Sequence, residues 1–263
     1  MSVASNVVKQ TAKTALKGNF LKAVIASLIV VFTWILSTNL AGLLEIAAGQ
    51  IAAKILNAAM LLFLLLPTAL GLLRYIWRML FSACDSPISV FYWFSEKSLY
   101  LRAMKLMFNI VLRAAIWLLI FNIPSILLFV LSKSSVFELI GMAPPLWTAN
   151  LGFYPPLLRN ISFVVVFFIM LKYYMAPWLI IADENMEVGE AIFKSSVIAR
   201  KTSFDFLGLI LSSLGWIVLS IFILPQPFTL PLILSYVAVH IRFSVAEYNQ
   251  HIENLKFTEA GFI

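Results

Sequence analysis

Residues 172–216 read KYYMAPWLIIADENMEVGEAIFKSSVIARKTSFDFLGLILSSLGW. The stretch leaves an apolar segment through Ala176-Pro177 and crosses the acidic run Asp183-Glu184-Asn185-Met186-Glu187. It then enters a helix-patterned segment, Val188–Lys201, and returns to apolar sequence at Phe206. Nowhere else is charge so dense between two segments apolar enough for a membrane. Read outward, it predicts a span ending at a cytoplasmic face, a short interfacial helix there, and a span leaving again.

The flanks carry the same pattern. The 263 residues are 62% hydrophobic and 12% charged, and the mean hydropathy is +0.97. A soluble domain has about 45–50% apolar and about 25% charged residues, so lipid must form part of this chain's solvent. The expected fold is all-α: a polytopic membrane helical bundle of about six transmembrane helices, with interfacial amphipathic helices on the cytoplasmic side. The spans are expected at about 23–44, 58–73, 106–131, 161–181, 206–224 and 228–245. The chain then divides into a basic amphipathic segment, 1–22, a membrane domain, 23–246, and a cytoplasmic tail, 247–263. Ala23–Leu40 is longer than the roughly 7–15 residues of a signal-peptide core, so it is expected to remain as the first span.

Between the spans the sequence is more varied. Lys9, Lys13 and Lys17 form one stripe of the amino-terminal helix, suited to an anionic membrane surface and equally to a solvated face. Glu45–Asn57 is expected as a connector. Ser86-Pro87 reads as an N-cap with proline at the first helical position. Phe91–Phe94 with Lys97, Arg102 and Lys105 then suit an interfacial helix within 82–105. Residues 132–159 are expected as an extended loop with a short turn near Val136–Ile140, its aromatics on the membrane surface. Sliding the chain by 99 positions aligns Tyr75 with Tyr174, Ser86 with Asn185, and Trp117 with Trp216, so spans 2–3 and 4–5 form a candidate same-orientation repeat.

Charge sets the orientation. With the amino terminus inside, 16 of the 19 Lys and Arg residues fall inside, and only Lys54, Lys133 and Arg159 fall outside. The positive-inside rule then places both termini in the cytoplasm. The formal charge of +7 is dispersed at span ends, which argues against a nucleic-acid partner. The single cysteine, Cys84, excludes an internal disulfide.

Few residues invite chemistry. Asp183, Glu184, Glu187 and Glu190 resemble an oxygen-ligand cluster. They also read as Asn185 capping a helix, Glu187 favouring its dipole, and Glu190–Lys194 pairing at i, i+4. Lys172, Arg113 and Arg242 lie within or at the inner ends of three spans. They are a candidate intramembrane polar or anion site, or side chains snorkelling to headgroups. Lys172 stands out because Pro177 is expected to break its helix, and Pro177, Asn185 and Trp216 mark a structural hinge. Ser212-Ser213-Leu214-Gly215 is a small-residue face for close helix packing. His240 and His251 have no metal-ligand spacing, and no nucleophile or phosphate-loop motif is present. No catalytic residue, metal or cofactor is expected.

Four groups of residues carry a resemblance: Ala12-Lys13 with Leu16-Lys17-Gly18-Asn19; Tyr174, Ala176-Pro177, Ala182–Asn185, Glu190-Ala191 and Ser195-Ser196; Leu211-Ser212 with Gly215-Trp216; and Ala246 with Tyr248. In this order the chain resembles domain-of-unknown-function family 975, a family of small bacterial integral membrane proteins. It departs from that pattern after Trp216, where Pro225-Gln226-Pro227 stands in the turn and Pro231 and Tyr236 are separated. The resemblance implies about six helical spans in a bacterial cytoplasmic membrane and no established activity. The expected function is a non-enzymatic scaffold or accessory component, binding membrane lipids through their anionic headgroups at the cytoplasmic face, or a membrane protein partner. The alternative is a small-solute or anion transporter with a polar path near Lys172.

Overall fold

The structure is a computed structural model that describes residues 5–82, 85–131 and 154–259, with 254–259 as backbone only. The expected turn at 136–140 and residue Cys84 lie outside the described residues. Helices form everything regular among the described residues, and no strand occurs there. Five helical segments are long and apolar enough to cross a membrane: Phe20–Ala48, Gln50–Phe81, Lys97–Leu131, Tyr154–Ala182 and Gln226–Glu253. The chain is therefore a multi-span protein, helical throughout its regular described parts.

Two compact units emerge, Phe108–Tyr173 and the remainder, Met1–Met107 with Tyr174–Ile263. In the larger unit, α1 (Ser5–Leu16) leads through a turn at Gly18 into α2 (Phe20–Ala48). Helix α3 (Gln50–Met60), a π-helical turn (Leu61–Leu65) and α4 (Leu66–Phe81) return alongside α2. The expected connector, Glu45–Asn57, is almost wholly helical. Only Gly49, at φ 86°, breaks it, because a residue without a Cβ adopts that left-handed conformation freely.

Pro67 stands at the start of α4. Its ring nitrogen cannot donate to the Phe63 carbonyl four residues earlier. The Tyr100 hydroxyl donates to that carbonyl at 3.1 Å. A side chain thus restores the backbone bond that a membrane proline removes.

A 3-10 helix, Pro87–Phe94, follows, and α5 (Lys97–Leu131) begins three residues later. Sequence reasoning expected an interfacial helix within 82–105. A 3-10 helix stands there, with Val90 and Trp93 buried against α2 and α4 and Ile88, Phe91 and Phe94 exposed, and Lys97–Lys105 belongs to the same helix as the third span. The expected 99-residue repeat does not extend to local structure here. The positions matching the 3-10 helix fall across the start of an α-helix at Val188.

The smaller unit pairs the later part of α5, from Phe108, with α6 (Tyr154–Met170). The Ser125 hydroxyl donates to the Pro155 carbonyl at 2.7 Å, and the Ser162 hydroxyl donates to the Phe121 carbonyl at 2.7 Å. Hydroxyls bridging helices in this way are a recurrent adhesive in membranes, where no water competes.

After a 3-10 turn, Leu171–Tyr173, the chain forms α7 (Ala176–Ala182), with Pro177 in its first turn. The expected break near Pro177 is present as this turn. Helix α8 (Val188–Leu211), a turn at Ser212-Ser213, α9 (Leu214–Leu219), a further turn and α10 (Gln226–Glu259) complete the larger unit. The expected span at 206–224 is therefore divided between two helices and a turn. Its backbone stays bonded locally: the Ile217 N–H donates to the Ser213 carbonyl and the Ser220 N–H to the Trp216 carbonyl. Trp216, expected at a hinge, is in α9 and is exposed.

Two clusters hold the larger unit. One joins Leu16, Ala23 and Ala26 to Leu72, Tyr75, Ile76, Met79 and Val90, with Leu232 and Leu234 against them. The other joins Val8 and Ala12 to Leu209, Tyr236 and Val239. Sequence reasoning followed the lysine stripe of α1. The stripe that docks is Val8, Ala12 and Leu16, all buried, at the same i, i+4, i+8 spacing. Lys9 leans over the edge of this contact. Its ammonium donates to the Ser212 carbonyl, at the end of α8, where a cation complements the helix dipole.

Candidate functional site

The densest polar arrangement lies where α4 ends, and Arg74 is its centre. Its side chain is only 6% exposed, a burial that a guanidinium tolerates only when paired. Its Nη2 donates to Glu184 Oε1 at 3.1 Å. Its Nη1 lies 3.8 Å from Asp85 Oδ2, and its Cζ stands 3.4 Å from the centre of the Tyr92 ring. One cation thus joins α4, the connector after it, the 3-10 helix and the loop after α7. Arg78, one turn on, brings Nε to 2.8 Å from Asp85 Oδ2. That approach lacks hydrogen-bond alignment, so it acts as an electrostatic contact.

Backbone placement brings these groups together. Gly71, one turn before Arg74, has no side chain, and the 3-10 helix lies directly on it. A Cβ there would sit 1.7 Å from the Val90 carbonyl oxygen. Only glycine lets the 3-10 helix approach closely enough to lay the Tyr92 ring over Arg74.

Arg102 of α5 completes the arrangement. Its guanidinium donates to the main-chain carbonyls of Asp183, Glu184 and Met186. These are carbonyls of the loop between α7 and α8, so one guanidinium fixes the path of that loop by charge-assisted bonds.

The acidic run, which resembled a cation site, is therefore divided by role. Glu184 pairs with Arg74. Asp183 Oδ1 accepts the Asn185 N–H at 3.0 Å, folding the loop on itself. Sequence reasoning gave Asn185 the capping role, but the residue at the N-cap of α8 is Glu187, without a side-chain bond. The reason is that the Asx turn at Asp183 lengthens the loop, so the helix starts two residues later. Among the described residues, no group of three or more His, Cys, Asp or Glu side chains gathers as metal ligands would.

Of the three basic residues of the candidate anion site, Arg113 and Lys172 belong to the smaller unit and Arg242 to the larger. Arg113 Nη1 lies 3.4 Å from the Tyr173 hydroxyl, with its guanidinium 5.3 Å from that ring. Lys172 is exposed on the 3-10 turn. Arg242 belongs to the larger unit, 4.3 Å above the Phe81 ring. Each arginine makes a cation–π contact.

Two further features escaped sequence reasoning. His240 is buried, with Nε2 3.2 Å from the Tyr174 hydroxyl, and the Tyr174 ring stacks on Phe206 at 4.0 Å. Nothing in local sequence announces that pair, whose members are 66 residues apart. Glu190 and Lys194, expected to pair, form no ion pair among the described residues. Both instead line a recess between α8 and α10. No family model, curated protein or solved structure matches the chain.

Proposed function

We propose that this protein is a non-enzymatic scaffold or accessory component of a bacterial cytoplasmic membrane, of the family its sequence resembles. It holds anionic lipid headgroups or a membrane protein partner at its cytoplasmic face. The observation that carries this reading is the use made of the buried cation. Arg74, a default functional candidate by its burial, is satisfied by Glu184, Asp85 and Tyr92, and Arg102 by three carbonyls. Both arginines thus tie elements of the larger unit together. The ring contacts of Arg113 and Arg242 likewise weigh for a scaffold over an anion path past Lys172.

Six crossings with both termini cytoplasmic complete the proposal, the fifth crossing being the interrupted α8–α9 segment. Support comes from the direction of α10. Leu232 and Leu234 pack on the cluster holding Leu72 and Ile76, and Arg242 further on meets Phe81. Helix α10 therefore runs with α4 and against α2, which brings its end back to the side of α1. Positive charge assigns that side to the cytoplasm.

Native mass spectrometry of the gently extracted protein tests the function. Retained lipid or a membrane protein partner is expected; a bare protein that catalyses a reaction or moves a solute in proteoliposomes would overturn it. An impermeant maleimide should leave Cys84 unlabelled in intact cells, and labelling there would reverse the orientation.

A further inference from the structure

We infer that the recess between the first half of α8 and the last part of α10 is a binding site for a phosphoethanolamine headgroup. This inference rests on the proposal that the protein holds lipid. The recess is an open depression of about 530 Å³, room for a headgroup with its waters. Glu190, Phe193 and Lys194 line one wall, at i, i+3 and i+4 of α8; Tyr248, Asn249 and Glu253 line the other, from α10.

The chemistry of the walls matches a zwitterion. Lys194 supplies one cation for a phosphate, and the Asn249 amide adds a neutral donor. Glu190 and Glu253 supply two carboxylates for an ammonium, and Phe193 and Tyr248 offer ring faces that attract the same cation. These charges are not engaged with one another: Glu190, Lys194 and Glu253 form no ion pair among the described residues. A primary ammonium donates three N–H bonds, which two carboxylates can accept. A trimethylammonium donates none, so ethanolamine is favoured over choline.

Helix α8 carries the site to the headgroup layer. Phe193, Arg200 and Phe204 recur at seven and four residues, one stripe of the helix, and all are exposed. Phe193 and Phe204 are 70% and 82% exposed. Exposed aromatics alternating with basic side chains are the pattern of a helix at the membrane interface. Phe193 belongs to both the stripe and the recess, so the recess opens at that layer.

The test is a titration of the purified protein in micelles with phosphatidylethanolamine, phosphatidylcholine and phosphatidylglycerol of matched chains, read by native mass spectrometry. Wild type should take up phosphatidylethanolamine preferentially. Lys194→Gln, and separately the double variant Glu190→Gln with Glu253→Gln, should weaken that uptake at least about fivefold. The double variant should not weaken phosphatidylglycerol uptake, because it removes two negative charges beside Lys194. Unchanged melting temperatures verify that these surface variants fold. Soluble O-phosphoethanolamine separates the sources: competition by it assigns a free headgroup compound as sufficient ligand, and uptake of the lipid alone assigns the membrane. Equal uptake of all three lipids, or uptake indifferent to both variants, overturns the site. Lipid retention without any effect of the variants would still leave the scaffold proposal standing. A protein retaining neither lipid nor partner would remove that proposal itself.

Discussion

Gly71 of α4 lies directly beneath the carbonyl of Val90, whose oxygen stands 1.7 Å from where a Cβ on Gly71 would be. Two backbones separated in sequence by a connector thus touch without a side chain between them. Gly71→Ala tests how much depends on that approach. Alanine is the better helix former by about 1 kcal/mol, but the obstacle is main chain and cannot swing away. Overpacking should prevail, with a net loss of roughly 1–3 kcal/mol. A lowered thermal midpoint in detergent would show it; an unchanged or raised midpoint would mean that the 3-10 helix is not seated on α4.

The Arg74–Glu184 pair makes a graded prediction. Arg74 is buried, but the Glu184 side chain is 59% exposed. Solvent therefore screens the carboxylate, and Glu184→Gln should cost no more than about 1 kcal/mol. Arg74→Met removes the ring contact and the Asp85 approach as well. It should cost roughly 1–3 kcal/mol, below the range for fully buried pairs because the orphaned carboxylates remain wetted. Denaturant titration of both single variants and the double variant gives the coupling. Zero coupling would show that the contact contributes nothing.

Tyr100→Phe isolates the repair of the proline break. It deletes the one hydroxyl bonded to the Phe63 carbonyl while keeping the ring. The expected loss is about 1 kcal/mol. In a Pro67→Ala background the backbone N–H returns to that carbonyl, so the same change should cost much less. Equal costs in both backgrounds would refute the assigned role.

Docking of α1 is readable by proteolysis. Ala12 is fully buried against the bundle, whereas Lys13 and Lys17 are exposed. Ala12→Asp places an unpaired charge in that contact and should release the helix. Trypsin should then cut at Lys13 and Lys17 several-fold faster, with no matching change elsewhere. Lys9→Met should do the same more weakly, since only the bond to the Ser212 carbonyl is lost. Cutting at the wild-type rate in Ala12→Asp would show that α1 is not held by this face.

What the sequence determined by itself follows from composition and local chemistry. Hydropathy fixed a helical multi-span protein, because within lipid the backbone must bond to itself. Pro177 announced a helix irregularity through its missing N–H. Only the tertiary structure decided what each charged residue does. In sequence Arg74 reads as a basic residue closing a span and Arg102 as part of an interfacial helix. Their partners, Glu184 and the carbonyls around it, come from 110 and about 80 residues away, a distance at which no periodicity carries information. Likewise the i, i+4, i+8 spacing of Val8, Ala12 and Leu16 does not say whether lipid, water or protein covers that face. That was decided by Tyr236, Val239 and Leu209 arriving from the far end of the chain.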